Sequence, residues 1–252
     1  MQYSLDQINN LKQEYSKLLP AYRKLLVDLN ILCKTLSSSC AQEYLVHGVG
    51  RRLNILKTCI TNIYDAYPPD IKELISDKDR VTTEINLQCF VLNLYGYVDN
   101  FARVIFEEKN IPYTAPKEIS FENKSLENYL SSDFINYIKS DVHKSWIEYL
   151  KDFRHSLCHR IPFYIPPYSI DPKDKEEYEN IINAKFNALA QCDLLTVKKL
   201  EQNEKEICRN FSVITHSYSE KSSLVLFHPQ IFCDWLKIVE FTKKIFDEFE
   251  KN

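Results

Sequence analysis

Apolar residues recur at steps of three and four along most of the chain, which predicts amphipathic helices rather than strands. The third predicted helix is apolar on more than one side, as is typical of a central bundle helix. The first is expected to be interrupted or restarted at Pro20, because proline lacks the N–H that a helix interior needs. The predicted helices cover residues 4–36, 40–67, 78–109, 125–140, 141–161, 172–206 and 229–250.

Short polar residues mark where several of these helices should begin, because their side chains can accept hydrogen bonds from the first free amides. The serine run Ser37-Ser38-Ser39 should end the first helix and supply an N-cap for the second helix. Asp77 or Asp79 would cap the third helix, and Asp141 would cap the fifth.

Strand-like alternation appears in residues 211–218 and 223–227, around a short polar turn, and predicts a β-hairpin. The sequence therefore favours an all-α, up-and-down helical bundle with a small β-hairpin near its C-terminus. We expect a single domain over residues 1–252, with residues 207–228 as a hairpin elaboration within it.

The amino-acid composition argues against several classes of fold and function. The three glycines are too few for Rossmann, P-loop or barrel folds, which need glycine in phosphate loops and turns. Gly48-Val49-Gly50 could form a phosphate-cradling turn, but no strand precedes it, so close helix packing is the favoured interpretation. The net charge of −3 argues against an extended basic surface and against non-specific DNA coating.

The eight cysteines are scattered and form no C-x-x-C pair, which predicts reduced thiols that mostly serve as small core residues. The first residues do not resemble a signal peptide, and no apolar run approaches membrane-spanning length. We expect a cytoplasmic protein with no membrane partner.

Reactive side chains are densest in the last two turns of the fifth helix, which should end before Pro162. Imidazole titrates near neutral pH, so a histidine here can accept and return a proton. A guanidinium is permanently charged, and its donors fit a phosphate. Together they can cleave a phosphodiester without a metal. The cluster consists of Arg154, His155, Cys158, His159 and Arg160.

The stretch Arg154-His155-Ser156-Leu157-Cys158-His159 resembles the arginine-x4-6-histidine motif of HEPN domains, with His155 as the polar residue that often follows the arginine. HEPN domains are all-helical bundles, and many are metal-independent ribonucleases that act as dimers. An earlier segment of the chain also resembles the polar patch that is often seen on a neighbouring HEPN helix. Its polar residues are Asp99, Asn100 and Arg103.

The resemblance implies an RNA endonuclease without cofactor or metal, acting as a homodimer in a toxin–antitoxin or phage-defence system, with an antitoxin or regulatory protein as a further partner. His159 would act as general base on a ribose 2′-hydroxyl, and Arg154 would stabilise the transition state. His155 would orient the phosphate or protonate the leaving oxygen. A 2′,3′-cyclic phosphate product is expected.

Helix geometry constrains this site. Arg154 and His159 are five residues apart, which turns an ideal helix by about 140°, so they do not share a face. They would converge if the last turn loosens before Pro162 or if two subunits meet. Arg160 adds a second cation, and Tyr164, in the rigid segment after Pro162, could stack on a base. The alternative interpretation of the segment after Pro162 is a packed connector, which is the more common role for such a segment.

Other interpretations stay open. His155, Cys158 and His159 could ligate zinc, although neighbouring arginines would repel a cation. Cys158 could be a nucleophile with a lowered pKa, or the cluster's cations could merely offset the helix dipole. The polar patch on the third helix could be a structural hydrogen-bond network. The alternative function is a non-catalytic module that binds a nucleotide, RNA or protein partner. A second arginine–histidine pair, Arg209 and His216, lies in a strand-like context and is not favoured.

Overall fold

The computed structural model describes residues 3–215 and 224–250, and it confirms an all-α helical bundle with a small antiparallel hairpin. A π-helical turn, Tyr44–Gly50, joins the second helix to the third. The α-helices are, in chain order, α1 (Leu5–Thr35), α2 (Ser39–Glu43), α3 (Arg51–Ala66), α4 (Asp77–Glu108), α5 (Ser132–Lys139), α6 (Asp141–His159), α7 (Lys175–Ala190), α8 (Leu194–Ile207) and α9 (Phe227–Glu250).

Two short antiparallel strand pairs accompany the helices in the described residues. The strands are β1 (Ser169–Ile170), β2 (Cys208–Arg209), β3 (Val213–Ile214) and β4 (Val225–Leu226). β3 pairs with β4, which confirms the predicted hairpin, although its connection and His216 of the second arginine–histidine pair lie outside the described residues. β1 pairs with β2, a contact that the sequence pattern did not predict.

Pro20 does not interrupt the first helix, so that prediction is wrong. α1 runs from Leu5 through Pro20 to Thr35, and a capping box between Ser4 and Gln7 fixes its start. Buried leucines on both sides of the proline, such as Leu18 and Leu25, anchor the helix to the core. This packing outweighs the hydrogen bond that proline removes.

α4 is the central helix, as predicted. Its buried residues come from more than one face and include Phe90, Tyr97 and Phe101. The Tyr97 hydroxyl hydrogen-bonds to Thr242 Oγ1 of α9 at 2.7 Å. The cap was predicted wrongly: Ser76, rather than Asp77 or Asp79, accepts the hydrogen bond from an early helix amide.

Close packing against α4 accounts for a glycine in the turn between α2 and α3. Ser38 caps α2, as the serine run predicted. Gly48 lies in the π-helical turn against α4, and a β-carbon at position 48 would come within 2.3 Å of Asn100 Nδ2. Glycine is therefore needed at this position for close packing between helices, which agrees with the favoured interpretation of the sequence.

α6 ends at His159, before Pro162, as predicted, and buries Trp146, Leu150 and Phe153. Ser140 caps it instead of Asp141, which is the first helical residue. Ile161, which was expected to lie inside the helix predicted over residues 141–161, lies beyond its end and is 48% exposed.

The long helix predicted over residues 172–206 is divided. α7 ends at Ala190, and α8 begins at Leu194 after Asp193 has capped it. Cys192 in the connection has a φ of 54°, a left-handed conformation that neither glycine nor proline signals at this point of the sequence.

Candidate functional site

The end of α6 is fixed by a buried serine. Ser156 is 1% exposed, and its hydroxyl donates to the carbonyl oxygen of Ile161 at 2.6 Å. The amide of Arg160 still donates to the carbonyl of Ser156 at 3.1 Å. The last turn is therefore regular rather than loosened, and Arg154 and His159 stay on different sides of α6.

Arg154 is half-buried and faces α4. Its guanidinium carbon lies 4.9 Å from the centroid of the Tyr95 ring, a cation–π contact. In the described part of the chain, Arg154 makes no hydrogen bond or ion pair, so its donors stay available to a ligand.

Asp99, one turn beyond Tyr95, joins this surface. Solvent reaches its carboxylate, but the surrounding protein reduces its hydration and raises its pKa above the ordinary value. The positive charges of Arg154, Arg52 and Lys151 offset part of this rise. The structure thus brings Asp99 and Arg154 into one electrostatic cluster.

Sequence reasoning missed two members of this cluster, namely Tyr95 and Arg52. The guanidinium of Arg52 lies on α4 at Gly96, where a β-carbon would come within 2.4 Å of its central carbon. Its Nη1 donates to Asn93 Oδ1 at 3.1 Å. The one available signal was the spacing of Tyr95 and Asp99, which puts both on one face of a helix.

His155 and His159 lie one turn apart on the same side of α6, and both are exposed. Their ring centroids are 5.7 Å apart, with the ring planes at 72°. An open pair of imidazoles can exchange protons with a bound substrate. The motif is accessible rather than covered by the described parts of its own chain.

Asn100 and Arg103 make other contacts. Asn100 packs against Gly48 of the π-helical turn. Arg103 forms an ion pair with Glu107 at 2.8 Å, donates to the hydroxyl of Tyr113 at 2.8 Å, and lies over the rings of Tyr44 and Tyr113. These contacts fit the structural interpretation of the polar patch, since they do not include Arg154 or either histidine.

Arg160 and Tyr164 follow the helix. Arg160 is exposed at the C-cap of α6. Tyr164 exchanges backbone hydrogen bonds with Thr215 at 2.9 and 3.0 Å, while 42% of the residue is exposed. The segment that follows Pro162 is also held against α4, because the side-chain amide of Gln88 donates to the carbonyl oxygen of Phe163 at 3.1 Å. The backbone of Tyr164 is thus held in place, and the residue is partly exposed.

The structure also bears on the alternative chemistries. Every cysteine is free, and Cys158 is exposed. Within residues 3–215 and 224–250, no group of three or more His, Cys, Asp or Glu side chains is arranged to hold a metal ion. Over the same residues, no helix combines the length and apolarity that crossing a bilayer requires.

Comparisons with known proteins add no relative. The chain matches no protein-family model, no curated protein and no solved structure. The resemblance to HEPN domains therefore depends on the residues of the motif alone.

Proposed function

We propose that the protein is a metal-independent endoribonuclease that acts as a homodimer through the ends of two α6 helices. The observation that carries this proposal is the combination of a guanidinium with free donors and two exposed imidazoles near the end of one helix. These are the groups that phosphodiester cleavage requires.

In the proposed reaction, His159 takes the proton of a ribose 2′-hydroxyl, and the 2′-oxygen forms a bond to phosphorus. The bond from phosphorus to the 5′-oxygen breaks, and His155 returns a proton to that oxygen or orients the phosphate. Arg154 stabilises the negative charge on the phosphoryl oxygens. The products are a 2′,3′-cyclic phosphate and a 5′-hydroxyl.

The regular last turn of α6 supports the proposal of a dimer. Five helical residues separate Arg154 from His159 by about 140°, so one subunit does not direct both at one phosphate. Two copies related by a twofold axis can present Arg154 of one subunit with His159 of the other. By the same resemblance, a toxin or phage-defence role with a regulatory protein partner is proposed.

The test is incubation of the protein with mixed single-stranded RNA in EDTA, beside Arg154→Ala and His159→Ala. We expect cleavage that survives EDTA and falls by roughly 100-fold or more in either variant. Matched controls are Arg23→Ala in α1 and His47→Ala in the π-helical turn, both exposed, which should cleave as the parent does.

Equal cleavage by all five proteins would indicate a contaminating nuclease. Absence of cleavage, combined with RNA or nucleotide binding that raises the melting temperature, would favour the non-catalytic module instead.

A further inference from the structure

The contact between α3 and α4 has a fixed antiparallel register. Arg52 at the start of α3 lies against Gly96 of α4. Further along α3, the side-chain amide of Asn62 donates to Asn86 Oδ1 of α4 at 2.9 Å. Asn62 follows Arg52 by as many residues as Asn86 precedes Gly96, so the two helices pass each other residue for residue. The glycine of the π-helical turn that packs on Asn100 keeps the same register.

This register places Cys59 of α3 opposite Cys89 of α4. Each lies three residues, or nearly one helical turn, from the hydrogen bond between Asn62 and Asn86. Burial raises the pKa of the Cys59 thiol, and the neighbouring Cys89 thiol raises this pKa further. The two thiols are therefore close enough to interact across the helix contact.

The thiol of Cys89 is held in place by Asn93, one turn further along α4. The side-chain Nδ2 of Asn93 donates to Cys89 Sγ at 3.4 Å and to the carbonyl oxygen of Cys89 at 2.8 Å. The Oδ1 of the same amide accepts from Arg52 Nη1 of α3 at 3.1 Å. Because Asn93 is bonded to α3 at the same time, the sulfur of Cys89 lies on the side of α4 that faces α3.

The two opposed thiols differ in their access to solvent. Cys59 is 3% exposed, whereas Cys89 is half-buried and can be reached by a small oxidant. An accessible thiol beside a second thiol is the arrangement found in redox-sensing pairs, in which the first is oxidised and the second forms the disulfide. In this pair Cys89 would be oxidised first, and Cys59 would resolve it.

We propose that Cys59 and Cys89 are a redox-active dithiol that hydrogen peroxide converts into a reversible disulfide between α3 and α4. The sulfur of Cys89 takes one oxygen from the peroxide and becomes a sulfenic acid, and one water is released. The sulfur of Cys59 then bonds to the sulfur of Cys89, and the sulfenic oxygen leaves as a second water. The two thiols lose two hydrogens and two electrons, and the peroxide is reduced to two waters.

Reduction by a dithiol such as dithiothreitol reverses the step by thiol–disulfide exchange. The proposal is independent of the proposed nuclease, because the step makes no use of Arg154, His155 or His159.

The test treats the folded full chain with hydrogen peroxide, blocks the remaining thiols with iodoacetamide and maps the tryptic peptides by mass spectrometry without reduction. We expect the peptide of residues 58–72, which contains Cys59, to be linked to the peptide of residues 81–103, which contains Cys89. Dithiothreitol should separate the two peptides. Cys89→Ser should lose the link, whereas Cys233→Ser, at an exposed cysteine of α9, is the matched control and should keep it.

The parent protein decides the question even where a variant does not fold. Oxidation of the exposed Cys158, Cys192 and Cys233 while the two peptides stay unlinked would overturn the proposal. A link that forms only in urea would do the same. The linked protein should unfold at a urea midpoint no lower than that of the reduced protein, and a lower midpoint would show that the fold does not hold the two thiols ready for a disulfide.

Discussion

Arg154 of α6 lies over the ring of Tyr95 of α4, with 4.9 Å between the guanidinium carbon and the ring centroid. An aromatic face attracts the cation without occupying its N–H donors, unlike a carboxylate. The contact therefore orients Arg154 and leaves its hydrogen-bonding edge open, which suits a residue that binds a transient charge.

Replacement of Tyr95 by leucine should lower the proposed nuclease activity more than it lowers the stability of the fold. Loss of a cation–π contact of about 1 kcal/mol would lower the cleavage rate about fivefold. Tyr95→Phe keeps the ring face and should cleave at nearly the parental rate. The measurement is the single-turnover cleavage rate beside the urea midpoint. A rate unchanged in folded Tyr95→Leu would argue against this role of the ring.

Mixing of inactive subunits should restore activity if Arg154 and His159 act across the dimer. Equal amounts of Arg154→Ala and His159→Ala, unfolded and refolded together, should give about a quarter of the parental activity, because half the dimers are mixed and each has one intact site. Each variant refolded alone is the control. No recovery, with mixed dimers shown by mass spectrometry, would mean that the two residues do not act in trans.

Gly48→Ala should destabilise the bundle although alanine normally favours a helix. The new β-carbon would lie 2.3 Å from Asn100 Nδ2, and relief of this overlap should cost about 1–3 kcal/mol of the free energy of unfolding. The double variant with Asn100→Ala should recover most of the loss.

Gly50→Ala is the matched control for that substitution, because the nearest atom to its β-carbon is the carbonyl oxygen of Leu45 at 3.6 Å. It should be neutral or stabilising by up to about 1 kcal/mol. Urea unfolding measures all three variants, and an equal loss in the two single variants would contradict the packing argument.

Asp234 should make stability fall as pH rises. Burial raises its pKa to about 6, although Trp146 Nε1 donates to it at 3.0 Å and Gln230 Nε2 at 3.1 Å. Since the folded pKa exceeds the unfolded value, the native state binds more protons between pH 4 and 6, and this contribution is lost with rising pH. Buried His143 and His228, whose pKa values fall to about 4, act oppositely between pH 4 and 6.5.

Asp234→Asn isolates the effect of the acid, because the amide oxygen can still accept from Trp146. The variant's gain in unfolding free energy over the parent should grow from near zero at pH 4 to about 3 kcal/mol at pH 7. Denaturant unfolding across this range measures it. Parallel curves for the two proteins would show that the pKa of Asp234 is the same in the folded and unfolded states, and would contradict the prediction.

Periodicity predicted the helices well because burial of an apolar stripe dominates their stability. Local signals were less decisive. Ser76 and Ser140 are the N-caps, rather than the aspartates that directly follow them. The chain turns at Cys192, between α7 and α8, without a glycine or a proline. Several residues can satisfy such local requirements, so the choice depends on tertiary contacts.

The candidate site was predictable only within one helix. The motif of α6 is contiguous in sequence, so Arg154, His155 and His159 could be recognised directly. Arg52 and Tyr95 reach the same surface from other helices, and the approach of Arg52 depends on the absence of a side chain at Gly96. Pairings of this kind are fixed by packing between distant segments, which one sequence does not reveal.

The position of α9 in the chain has a consequence for synthesis on the ribosome. Tyr97 and Trp146 obtain their hydrogen-bond partners, Thr242 and Asp234, from this late helix. While the intervening chain is translated, the apolar faces of α4 and α6 have no such cover, and exposed surface of this kind favours aggregation of nascent chains. Closure of the core must therefore wait until α9 has left the exit tunnel.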